Sequence, residues 1–263
     1  MSTAPGVPEP YPPARSSGDL PPATHDSPIP RARPETGSGP AGTPDRGSAP
    51  AHTAGPVTTG LTGAGAAAVA AGLPWLFPPG GGPTAFDLEV GARVDPRLDP
   101  RPWLAEVLAL ATATGVVLAL LAGSAVWFAW QRRWWETATV LLVPQIAVAV
   151  NAWVLKPWWG RPLHDYLAYP SGHTVHLVSM VTTLVLLLQS VRARVVIVVL
   201  AVAGWCAGAV GMIALDYHLA TDVVGGAAAG IALAIALYWA AVPLRRVFRP
   251  RPPGESRAGS VPD

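Results

Sequence analysis

The chain has a single cysteine, Cys206, which excludes an intrachain disulfide. Charge is also scarce. Asp, Glu, Lys and Arg make up 13% of the 263 residues, about half the share of a soluble domain. The one lysine, Lys156, stands among 18 basic residues that are otherwise all arginine. A net charge of +2 is too small to indicate a nucleic-acid partner. The first segment is polar and proline-rich, without the apolar core of a cleavable signal. What fills most of the remainder is apolar: 51% of the residues are hydrophobic, in long blocks rather than one-sided stripes. That is the pattern of an integral membrane protein. Cys206 falls inside one such block and reads as a small packing residue.

Composition divides the chain into three parts. Residues 1–56 are Pro, Ala, Gly, Ser and Thr with scattered charges and no apolar periodicity, the signature of a disordered tail. Residues 57–243 hold apolar segments at about Val57–Phe77, Trp103–Trp130, Trp134–Leu155, His173–Gln189, Val195–Leu215 and Ala220–Val242. Residues 244–263 form a basic tail. The expected fold is an all-α, six-span transmembrane bundle, with a charged loop over 78–102, a turn carrying Arg192 and Arg194, and a kink at Pro144. Arg132, Arg133, Arg192, Arg194 and the Arg245–Arg251 cluster fall on one side of such a bundle. The positive-inside rule makes that side cytoplasmic, with both termini there. Tryptophans at the span ends, among them Trp103, Trp130, Trp134, Trp135, Trp158 and Trp159, read as an interfacial belt.

One stretch departs from this apolar pattern. Lys156–His173, K-P-W-W-G-R-P-L-H-D-Y-L-A-Y-P-S-G-H, crowds Lys156, Arg161, His164, Asp165, Ser171 and His173 between two spans. Ionisable groups beside membrane helices are costly and mark sites. Pro170-Ser171-Gly172-His173 opens a helix whose free N–H groups and dipole favour an anion. His218 and Asp222 follow on the same outer face, spaced i,i+4 at the start of the last span. There the carboxylate can take the Nδ1 proton and leave Nε2 as nucleophile. A second imidazole at His173 supplies a general acid. Fixed cations at Lys156 and Arg161, with the Ser171 and Gly172 amides, complete a set suited to phosphoryl transfer without a metal. His164 reads as an exposed loop residue or, when protonated, as a stand-in for a phosphate-binding arginine. His176 reads as a satisfied polar residue near the interface or as part of the cavity lining, and Asn151 as a bond across helices or a neighbour of the site. Gly226-Ala-Ala-Ala-Gly230 reads as a tight helix contact.

Lysine at 156, P-S-G-H at 170–173 and H-L-A-T-D at 218–222 resemble the type 2 phosphatidic acid phosphatase superfamily, membrane lipid phosphatases with vanadium haloperoxidases as soluble relatives. The resemblance implies a metal-independent phosphatase without a cofactor, embedded in the bilayer. It would act on a lipid phosphate or polyprenyl pyrophosphate at the extracytoplasmic face. It also implies that His218 forms a phosphohistidine, Asp222 orients it, and His173 protonates the leaving group. Lys156, Arg161, Ser171 and Gly172 would hold the phosphate oxygens. Two places depart from the family pattern. Arg-Pro stands two residues early, at Arg161-Pro162, with Leu163 and His164 in its usual places. The Ser-Arg pair of the third motif is replaced by Gly211-Met212, and a thioether cannot neutralise a phosphate oxygen. That loss opens an alternative, a catalytically weak or inactive member that binds phospholipid without turnover. A transporter or channel would place polar residues through the midplanes, which are nearly all Ala, Val, Leu and Gly.

Overall fold

A computed structural model describes residues 55–248. The tail expected over 1–56 lies outside the described residues apart from Gly55 and Pro56, as does the C-terminal tail beyond 248.

The described chain is helical. α1 (Pro56–Gly72) opens with proline at its first position and tightens into a 3-10 turn, Leu73–Leu76, where Pro74 has no N–H for the helix to use. The region 78–102, expected as a loop, instead holds α2 (Ala85–Leu98). Its start is a capping box: the Asp87 amide donates to Thr84 Oγ1, and the Thr84 amide donates to Asp87 Oδ2. Glu89 and Arg93 pair one turn apart along it.

α3 (Pro102–Ala109) and α4 (Thr114–Trp130) are separated by a 3-10 turn and an extended Ala113, so the expected single helix is broken near its N-terminal end. α5 (Trp134–Val150) runs on through Pro144; the irregularity comes later, as a π stretch over Asn151–Leu155, before α6 (Lys156–Trp159). A two-stranded hairpin follows, β1 (Pro162–Leu163) against β2 (Tyr166–Leu167). The last three helices are α7 (Gly172–Leu187), α8 (Val191–Ala214) and α9 (Ala220–Ala241). Ser190 caps α8 by accepting from the Ala193 amide. Arg192 and Arg194 therefore lie in the first turn of α8 rather than in a free turn.

Among the described residues, four helical stretches are long and apolar enough to cross a membrane: Pro102–Trp130, Trp134–Trp159, Val191–Ala214 and Ala220–Arg245. The apolar α7 has 16 residues. At about 1.5 Å per residue it falls short of the roughly 30 Å hydrocarbon core. Its C-terminal carbonyls receive guanidinium groups, Leu187 O from Arg133 and Leu188 O from Arg194.

α7 is central, packed between α5 and α9, with α1 on the other flank of α9. The α7–α9 contact is close because of glycine. A Cβ on Gly226 would come within 2.7 Å of Ser171 O, and one on Gly230 within 3.1 Å of Val175 O. The same device seats α3 on α8, where a Cβ on Gly211 would stand 2.4 Å from the Ala109 amide nitrogen. Phe128, Val140, Leu177, Met180 and Leu184 form the main core between α4, α5 and α7. Outward faces stay apolar: Val195, Val199, Leu200 and Val202 of α8 are exposed. Cys206 lies on an exposed part of α8, so it is not the packing residue expected. Trp103, Trp130, Trp134 and Trp158 are exposed, whereas Trp135 is buried and leaves the belt.

Candidate active site

The site loop is held at both ends. At its start, Gly160 adopts a left-handed conformation that ends α6. At its end, Asn151 of the π stretch donates from Nδ2 to Pro170 O at 3.2 Å, so Asn151 braces the loop. Tyr166 and Tyr169 hydroxyls donate to the carbonyls of Tyr217 and Ala70. The Tyr169 ring lies over Gly225, where a Cβ would meet it at 2.1 Å.

These constraints bring His173, at the start of α7, to His218, just before α9. The rings stand 6.2 Å apart, centroid to centroid, and nearly perpendicular. Both face a cavity of about 560 Å³ that Lys156, Tyr166, Gly172 and His176 also line. Lys156 donates from Nζ to Leu167 O, which keeps its ammonium at the cavity wall. His176 is within 3.4 Å of Gln145 Nε2 on the same wall. His164 is exposed, outside this cavity, and pairs with Asp216 at 3.0 Å. Behind His218, Nδ1 lies 3.8 Å from Asp222 Oδ2 and is buried with no hydrogen-bond partner among the described residues. Asp222 Oδ2 accepts from the Leu219 amide at 3.0 Å, which also caps α9.

Arg161 does not line this cavity. Its side chain is 1% exposed, and all five N–H donors have partners. Nε reaches Gly81 O at 3.0 Å and Nη2 reaches Gly82 O at 2.9 Å. Nη2 also reaches Asp87 Oδ2 at 3.1 Å, and Nη1 reaches Thr221 Oγ1 at 2.6 Å and Asp222 Oδ1 at 2.8 Å. The guanidinium lies over the Phe77 ring, 3.8 Å from its centroid. The expectation that Arg161 holds phosphate oxygens is therefore corrected: no donor is left for a ligand. Gly81 makes this possible by taking a positive φ of 78°, which turns its carbonyl toward Arg161.

Ser171 needs a similar correction. It is fully buried, and its amide donates to the Asp222 backbone carbonyl at 3.0 Å, tying α7 to α9 rather than facing the cavity. Lys156, Gly172, His173 and His218 are thus brought together at the cavity, with Asp222 directly behind and Arg161 behind Asp222.

Asp87 is the residue that sequence reasoning missed. It lies in the region expected as a charged loop over 78–102, yet its side chain is fully buried against Arg161. Its Oδ1 accepts from the Thr221 amide at 2.7 Å, and its Oδ2 from the Thr221 hydroxyl at 3.0 Å. Burial by itself raises this carboxyl; the Thr221 amide, both Thr84 donors and Arg161 outweigh it and hold it below the ordinary carboxylate value. The available signal was T-A-F-D at 84–87, a capping-box pattern.

Met212 stands where the family's arginine is absent. It is 2% exposed, with Sδ 3.7 Å from Thr112 Oγ1. It lines a cavity of about 210 Å³ shared with Glu106 and His173. Among the described residues no three His, Cys, Asp or Glu side chains gather as metal ligands.

No curated protein and no solved structure matches the chain. Residues 150–246, which hold Lys156, His173, His218 and Asp222, match the family model of the PAP2 superfamily.

Proposed function

We propose that this chain is a membrane-embedded, metal-independent phosphatase acting on a lipid phosphate or polyprenyl pyrophosphate. PAP2 superfamily members are phosphatases, which supports a phosphoric ester hydrolase. The observation that carries the reading is the pair of facing imidazoles, 6.2 Å apart over a cavity walled by Lys156, with a carboxylate behind only one of them. That asymmetry assigns the roles.

Asp222 accepts a hydrogen bond from the Nδ1–H of His218, which fixes that tautomer and leaves the Nε2 lone pair toward the cavity. Nε2 attacks phosphorus. The N–P bond forms as the P–O bond to the leaving alcohol or phosphate breaks, and His173 gives its proton to the departing oxygen. Water then attacks the phosphohistidine, His173 takes a proton from it, and the N–P bond breaks to release phosphate. Lys156 and the Gly172 amide offset the charge on the phosphoryl oxygens.

The proposed topology counts α1 and the short α7 as crossings beside the four candidate spans, six in all. Arginines at 132, 133, 192, 194 and 245 share one end, which the positive-inside rule makes cytoplasmic. The cavity then opens at the extracytoplasmic face, both termini are cytoplasmic, and the apolar outer faces meet the bilayer. Met212 favours a second reading, a member that binds phospholipid without turnover.

The test is phosphate release by the full-length protein in detergent, with EDTA, from undecaprenyl pyrophosphate and phosphatidate. Release that vanishes in His218→Ala is expected. Release unchanged in that variant overturns the phosphohistidine, and lipid binding without release establishes the second reading.

A further inference from the structure

The network behind His218 joins segments far apart in the chain. Asp87 comes from α2, Arg161 from the loop after α6, and Thr221 and Asp222 from α9. Side-chain exposure is 0% for both carboxylates and 1% for the guanidinium. One buried cation is therefore shared between two buried anions, and the group as a whole keeps one negative charge.

That arithmetic matters for His218. Paired with Arg161 alone, Asp222 would be neutralised, and its hold on the imidazole Nδ1 proton would weaken, because charges at this depth are little screened. Asp87 draws on the same guanidinium from the other side. It also accepts from the Thr221 amide, one residue before Asp222, and so fixes the first turn of α9. The guanidinium cannot swing aside, since Gly81 O and Gly82 O hold its remaining donors.

We propose that Asp87 is a positioning residue for the His218–Asp222 pair: by sharing Arg161, it leaves Asp222 charged and fixed so that it holds the Nδ1 proton of His218. Asp87 touches neither the cavity nor the phosphoryl group. The inference rests on His218 being the nucleophile, and it assigns Arg161 a place in the same relay.

Two readouts on the full-length protein in detergent test it: steady-state phosphate release from phosphatidate, and the ¹⁵N spectrum of histidine-labelled protein, with the His218 signal identified by its loss in His218→Gln. In Asp87→Asn, kcat is expected to fall about tenfold or more with KM within about twofold, as for loss of an orienting carboxylate. The His218 ring is expected to leave the Nδ1-protonated tautomer. Asp87→Asn/Arg161→Gln removes the unshared guanidinium, the species that most threatens folding. It is expected to restore the tautomer and exceed Asp87→Asn in kcat. Asp87→Asn with wild-type kcat and an unchanged ring spectrum overturns the proposal. So does a folded double variant that lacks the tautomer, since then Arg161 orients Asp222 by itself. The ring spectrum reads the Asp87–His218 relation whether or not phosphatidate is hydrolysed. Release insensitive to His218→Ala instead defeats the phosphohistidine reading alone.

Discussion

His218 Nδ1 and Asp222 Oδ2 stand 3.8 Å apart. Among the described residues the nitrogen is buried without a hydrogen-bond partner, while the carboxylate is anchored by Arg161 through one oxygen and by the Leu219 amide through the other. The carboxylate is therefore the fixed member of the pair. Asp222→Asn keeps the shape but cannot hold the Nδ1 proton. Turnover is expected to fall roughly 10³–10⁴-fold, as in other imidazole–carboxylate pairs. Phosphate release at matched amounts of folded protein checks this, and a loss under tenfold would remove Asp222 from the relay.

Met212→Arg places a guanidinium in the cavity that His173 shares with Glu106. One transition-state charge contact is worth about 3 kcal/mol, so kcat/KM is expected to rise on the order of 100-fold. Steady-state kinetics decide. An unchanged value would show that Lys156 and the α7 amides already meet the charge.

Gly211→Ser restores the small polar residue of the family's pair, yet here it is expected to destabilise. Its Cβ would lie 2.4 Å from the Ala109 nitrogen and 2.5 Å from Ala105 O, both backbone atoms that cannot swing away. Forced overpacking costs roughly 1–3 kcal/mol. A thermal unfolding midpoint in detergent equal to wild type would mean that α3 does not sit against Gly211.

Acid stability follows from Asp87. Its carboxyl is held below the ordinary value in the folded chain, so it contributes stability above the unfolded value. That contribution is lost as pH falls through the folded one. Wild type is expected to lose stability in that acidic window, with a shallower loss in Asp87→Asn/Arg161→Gln. Identical acid profiles would show that Asp87 is not charged in the folded state.

Much of the site was legible because its signals are local. His218 and Asp222 lie one helical turn apart, and P-S-G-H marks a helix start, so residue type and spacing placed both near a membrane face. Gly226 and Gly230 were legible as a helix contact because the small-residue spacing is itself the geometry. The helix over Ala85–Leu98 was missed because its charges resemble a loop, although Thr84 and Asp87 carry its cap.

By itself, the sequence determined the apolar segments, the histidine pair and the lysine beside it, since each depends on hydropathy or short spacing. Only the tertiary structure decided what the arginine does. Arg161 and Asp87 are 74 residues apart, and nothing in the spacing selects that carboxylate over Glu89, Asp95 or Asp99. A guanidinium has five donors, and where they point depends on which backbone carbonyls and carboxylates the fold brings near. Here the fold brought Gly81, Gly82, Asp87, Thr221 and Asp222, and so turned an expected phosphate ligand into the support of the histidine's partner.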